Sequence, residues 1–156
     1  MTLEDLAFVS FDPKNTHFRG SLLVEAVLAS EGDPEALLRN ATSIYQRCLD
    51  TVRPVLAEIE AARSSPRLVP ARAVWRVGDS VFRLRDELEA VGLQLDGVYR
   101  HLCRDLGVKR KWLEKAIILR RYLPDVALIP QSLNWGRCEK GTRRVAQRLS
   151  KGLSAD

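Results

Sequence analysis

Lys109, Arg110, Lys111 and Lys115 crowd one short stretch of this 156-residue chain. Read as a helix, the stretch turns these four cations outward, while Leu113 and Ala116 take the inward face. A helix so decorated has the chemistry to lie in a major groove along a path lined by phosphates. A second cationic set follows it. Arg137, Arg143, Arg144 and Arg148 suit phosphate contacts that fix the register of a duplex. Charge is unevenly spread along the chain. Residues 100–151 hold 14 Lys or Arg against Asp105, Glu114, Asp125 and Glu139, a net of +10. Residues 1–99 carry 11 basic and 15 acidic residues. The overall charge of +5 therefore hides a strongly basic carboxyl-terminal third, the electrostatic footprint of a nucleic-acid surface.

Other chemistries find less support. His17 and His101 are the only histidines and are far apart, which counts against a histidine-based metal or acid–base centre. Cys48, Cys103 and Cys138 lack CxxC spacing and read as reduced thiols of an intracellular protein. There is no GxxxxGK[ST] phosphate loop, no GxGxxG, no HExxH and no GxSxG elbow. Acids recur as Glu58/Glu60 and Asp86/Glu87/Glu89, on stretches whose helical period makes them solvated faces. Asp79, Asp86 and Glu89 are the carboxylate set a metal-dependent nuclease would draw on, but they share one helix. The residues thus predict no catalytic site, no metal and no cofactor. No run approaches the roughly 20 apolar residues of a membrane span. The opening MTLEDLAFVSF has two acids and no basic segment, so a secretory signal is not expected and a cytoplasmic location is.

The elements that must position the cations read as helices throughout, predicting an all-α helical bundle that contains a helix-turn-helix. Tyr99 to Arg121 supplies that motif as two short helices joined at Gly107, where a left-handed residue is needed. Cys103 takes the small crossing position, with Leu102, Leu106, Val108, Leu113 and Ala116 inward. Upstream, Ser21–Ser30 forms a short apolar helix after an irregular opening. Asp33-Pro34-Glu35 then starts a long one with a capping acid and an early proline. Leu37, Leu38, Ala41, Ile44, Tyr45, Cys48, Leu49 and Val52 form its apolar face, which Val55, Leu56, Ile59 and Ala62 continue. Pro54 is expected to kink or break it, and Ser64-Ser65-Pro66 to end it.

Pro70 begins the next helix. Val74, Val77, Val81, Leu84, Leu88 and Val91 face its core, Asp79, Arg83, Asp86 and Glu87 face out, and Gly92 caps its end. Trp75-x-x-Gly78 places a small residue one turn past a large one, so that another helix can approach closely. Thr142 is expected to cap a last helix with Val145, Ala146 and Leu149 inward and Arg143, Arg144, Arg148 and Lys151 outward. Two regions result: residues 1–65 as a helical scaffold, and residues 66–156 as a helix-turn-helix domain with a basic carboxyl-terminal helix.

From Trp75 onward the chain resembles the helical amino-terminal domain of the YhcG-like group of nucleases. The matching residues are Trp75-x-x-Gly78, the turn at Gly107, Leu113, Tyr122-x-Pro124 and Leu133-x-Trp135. In that group the domain precedes a separate PD-(D/E)XK nuclease domain, which is not expected within these 156 residues. Gly136-Arg137 stands where a serine and a histidine are expected. The helix-turn-helix is also similar to that of ParB-type partition proteins, in which a glycine turn is followed by a leucine-proline step. Both resemblances imply DNA binding, and neither implies an enzyme.

The expected protein is thus a small prokaryotic one that binds double-stranded DNA without modifying it, in regulation, defence or mobile-element function. Residues 20–65 are expected to offer a homodimer or protein-partner surface, since the long helix has an apolar face suited to coiled pairing. Trp112 either packs at the helix base or lies along the DNA backbone. The competing expectations are a helical adaptor subunit of a multi-protein or RNA-containing complex, and a nuclease or toxin with dispersed acids.

Overall fold

Periodicity of apolar residues at three-and-four spacing fills this chain, and the computed structural model is accordingly all-α. It describes residues 33–64, 68–93 and 98–156. The opening arm, the Ser21–Ser30 helix and the Ser65-Pro66 turn lie outside the described residues. Five α-helices are described: α1 Pro34–Ser64, α2 Ala71–Ala90, α3 Val98–Leu106, α4 Arg110–Tyr122 and α5 Thr142–Ser150. Single 3₁₀ turns at Val126–Leu128, Trp135–Arg137 and Glu139–Gly141 join α4 to α5.

The start of α1 follows from its acid: the Asp33 carboxylate accepts the Glu35 backbone N–H at 3.1 Å. The helix runs without a break through Pro54. Pro54 and Asp50, whose carbonyl loses its intrahelical donor, are both exposed, so water can take the place of the missing N–H. At the other end of the sequence, Thr142 does not cap α5. Its hydroxyl donates to the Cys138 carbonyl at 2.9 Å from a buried position inside the helix, and Gly141 precedes α5 with no side-chain cap.

The described residues fall into two compact units, and neither is one continuous stretch. The first comprises residues 33–50 and 83–108, the second residues 51–82 and 109–156. In the first, Leu38, Ala41, Ile44, Tyr45, Cys48, Leu84, Leu88 and Leu102 are buried. Of the apolar face of α1, Leu38, Ala41, Ile44, Tyr45, Cys48, Leu49, Val52 and Ile59 are buried, while Leu37, Val55, Leu56 and Ala62 are half-buried. Tyr45 donates a short hydrogen bond to the Asp105 carboxylate, tying α1 to α3. Gly107 ends α3 at φ +69, and the Val108 N–H closes back on the Cys103 carbonyl at 3.1 Å.

The second unit is built around α2 and α4. Gly78 lies so close to α4 that a Cβ there would meet the Ala116 carbonyl oxygen at 2.1 Å. The Trp75 indole N–H donates to the Leu123 carbonyl at 2.7 Å. Trp75-x-x-Gly78 therefore makes the close helix approach its spacing predicts. The segment after α4 is fastened to the start of α2: Arg72 Nε donates to the Ile129 carbonyl at 2.7 Å, and Trp135 N–H to the Val69 carbonyl at 2.7 Å. Helix α5 packs on α4 through its buried Val145, Ala146 and Leu149 face.

The Gly78 contact predicts the sign of a substitution. Alanine is the better helix former by about 1 kcal/mol, yet its methyl has only backbone to displace. Gly78→Ala is expected to destabilise the protein by about 1–3 kcal/mol, measured by urea unfolding. An unchanged or raised stability would mean that α4 sits farther from α2.

Candidate nucleic-acid interface

All eight cations expected to meet nucleic acid lie in the second unit. Two arguments place them on its surface. The first is the mounting of α4. Ala116, Arg120 and Leu123 recur at four and three residues, and each meets α2: Ala116 at Gly78, Arg120 at Asp79 and Leu123 at Trp75. With that face and the buried Leu113, Ile117 and Leu119 committed inward, 100° per residue turns Arg110, Lys111, Glu114 and Arg121 to solvent. The second is the α5 pattern, whose buried face leaves Arg143, Arg144, Gln147 and Lys151 exposed.

Charge separates the cations into those that are engaged and those that are not. Lys109, Lys111, Arg143 and Arg144 are exposed and have no ion-pair partner among the described residues. Arg110 Nε donates to Glu114 Oε1 at 3.0 Å, and both side chains are more than half exposed. An exposed pair of this kind is worth roughly 0.3–0.5 kcal/mol. Arg137 makes two 3.1 Å contacts to the Asp156 carboxylate, also at the surface. Arg148 is half-buried, its Nε donating to the Ser154 carbonyl at 2.8 Å. Lys115 is half-buried as well, less outward than its spacing suggested.

Arg121, Lys140 and Lys151 are exposed cations that the selection of eight left out. Arg121 was within reach of the sequence: eleven residues beyond Arg110 is three turns, which returns to the same side of the helix. Arg120 next to it, 100° around the helix, faces α2. Its Nε donates to the Asp79 carboxylate at 2.7 Å, and the two side chains are only 18% and 13% exposed. Its guanidinium carbon lies 4.6 Å from the centre of the Phe82 ring and 5.9 Å from that of Trp75. Asp79, expected outward, is thus turned in because α4 presents it with a cation. Asp79 is one of the carboxylates considered for a nuclease. Glu89, another of that set, pairs with Arg85 at 3.2 Å.

The Trp112 indole nitrogen is buried, while the residue as a whole is half-buried. Cys48 and Cys138 are buried, while Cys103 is half-buried. Burial pushes the Cys48 thiol up to about 12, with the nearby Glu87 charge adding to the effect, and burial alone pushes Cys138 up to about 11. Among the described residues no three His, Cys, Asp or Glu side chains converge as a metal site would require. The chain matches no protein-family model, no curated protein and no solved structure.

Two outcomes follow from these internal groups. Asp79→Asn leaves Arg120 largely buried without its counter-charge, and is expected to cost about 2–4 kcal/mol, discounted for partial exposure from the loss of a fully buried partner. Urea unfolding measures it, and a cost below that of an exposed pair would place Arg120 in solvent. For the thiols, unfolded chains release their protons near pH 9 while the folded protein holds them to about 11 or 12. Stability is therefore present below pH 9 and falls as the pH rises above it. The fall in urea midpoint between pH 8 and pH 10 should be shallower for Cys48→Ala than for the wild type.

Proposed function

We propose that this protein binds double-stranded DNA without modifying it, through the exposed cations of α4 and α5. The observation that carries this reading is the set of exposed cations without acidic partners among the described residues, Lys109, Lys111, Arg143 and Arg144, joined by Arg121. Residues 109–156 hold 12 Lys or Arg and only four acids. Such a concentration costs self-repulsion in the free protein and is repaid when phosphates replace the counterions.

Helix α4 supplies the groove-entering element. It is 13 residues long, ends its exposed side in cations at both termini, and is held from behind by α2 and α5. Helix α5 offers Arg143 and Arg144 to the flanking backbone, and Arg137 and Arg148 exchange their weak surface contacts for phosphate oxygens. Helix α3, the turn at Gly107 and α4 follow one another along the chain in the order of a helix-turn-helix. Few aromatics interleave the cations, which favours a duplex over a stacked single strand.

Fluorescence anisotropy on an arbitrary duplex of about 30 base pairs, with its RNA counterpart, tests the reading across a salt series. Tight DNA binding with a steep salt slope is expected. Lys111→Ala, Arg143→Ala and Arg144→Ala should each weaken binding and flatten the slope by about one, the release of roughly 0.9 counterion per lost phosphate contact. Arg120→Met should lower stability and leave the slope alone. Absence of binding at low salt would end the proposal and point the basic face toward an acidic protein. An unchanged slope for Arg143→Ala and Arg144→Ala would remove α5 from the interface.

A further inference from the structure

Glu114 is the one acid on α4, and it stands among Arg110, Lys111, Lys115 and Arg121. Two ordinary reasons for an acid in that position do not suffice. For a surface that only tracks phosphates, a carboxylate on the exposed side repels the ligand. For helix stability, the Arg110–Glu114 pair runs in the less favourable order, with the cation toward the amino terminus, and both side chains are open to solvent.

What the carboxylate does is hold an arginine. Glu114 Oε1 accepts from Arg110 Nε at 3.0 Å, which leaves the two terminal nitrogens of the guanidinium with their N–H groups undirected by that bond. The bond at Nε biases the orientation of the guanidinium and leaves its terminal nitrogens as a planar, end-on fork. The major-groove edge of guanine presents two acceptors, N7 and O6, at the spacing such a fork spans. We infer that Arg110, oriented by Glu114, reads a guanine in the major groove, with Glu114 as the positioning residue for sequence preference. The inference rests on the proposed binding of duplex DNA. It goes beyond it by assigning the base and the residue that sets the geometry.

The experiment uses the full chain. Duplexes are enriched from a random library by the wild-type protein, and one enriched guanine position is replaced by 7-deazaguanine, which keeps the base pair and O6 but lacks N7. The wild type should bind the replaced duplex about tenfold more weakly, the loss of one hydrogen bond of a bidentate pair. Arg110→Ala, which has no donor to offer the guanine edge, should bind the two duplexes equally.

Glu114→Ala gives the discriminating result. It should bind unenriched DNA about two- to fivefold more tightly, since a repulsive charge is gone, while its preference for guanine over 7-deazaguanine falls toward one. Circular dichroism should show helix content unchanged in both variants. Tighter binding of every duplex by Glu114→Ala with the preference intact would overturn the inference, as would a wild type indifferent to 7-deazaguanine. Either result leaves the binding of DNA standing, whereas a wild type that binds no duplex at low salt removes both readings.

Discussion

The close approach of α4 to α2 at Gly78 is the constraint on which the second unit depends. A carbonyl oxygen at 2.1 Å from the place of a Cβ leaves no room for any other residue at the crossing. Because the backbones come so near, the side chains on either side of the crossing are brought within hydrogen-bonding reach of one another. Trp75 reaches the carbonyl of Leu123 one turn in one direction, and Asp79 meets Arg120 beside it. Both groups would be expensive to bury alone. Small residue and polar pair are thus one device: the glycine sets the distance, and the pairs make the distance tolerable.

That device also divides the cations of α4 into two populations. Arg120 and Arg121 are neighbours in sequence, yet one is packed over the Phe82 ring with a carboxylate partner and the other is exposed. A helix turns 100° per residue, so adjacent residues cannot serve the same face. Counting basic residues in a segment therefore overstates the charge available to a ligand. The relevant quantity is the charge left after internal pairing, and here it is concentrated on the exposed sectors of α4 and α5.

Much of the fold was legible in the chain. Proline and acid at Asp33-Pro34-Glu35, proline at Pro70 and glycines at Gly92 and Gly107 mark element ends through backbone physics that acts locally. Trp75-x-x-Gly78 announced a helix crossing because only a small residue permits one. What was not legible depended on partners distant in sequence. Asp79 obeys the spacing of an outward residue, and only the arrival of Arg120, 41 positions later, turns it inward. Thr142 has the chemistry of a cap, but the 3₁₀ turn at Glu139–Gly141 brings the Cys138 carbonyl under its hydroxyl instead. Of the candidate site, the exposed cations were readable from helical period alone. Their existing engagements, Arg137 with Asp156 and Arg148 with Ser154, were not, because both depend on how the chain returns after α5.

The amino terminus of α4 shows why the crossing matters to the exposed face. Lys109, Arg110 and Lys111 occupy its first positions, no side chain caps it, and no acid lies in its first turn. Each cation there opposes the helix dipole by about 0.3–1 kcal/mol, and an absent cap forfeits about 1 kcal/mol more. Left to local preference this sequence would not choose to begin a helix at Arg110. It does so because Leu113, Ala116, Ile117 and Leu119 are buried and because Gly78 and Asp79 receive the helix on that side. Burial of four apolar side chains exceeds the local penalty severalfold, at roughly 1.5–3 kcal/mol for each of the larger ones. The unfavourable end can therefore be kept, and a basic, uncapped helix start is retained on the solvent side, where local rules conflict most with the folded arrangement.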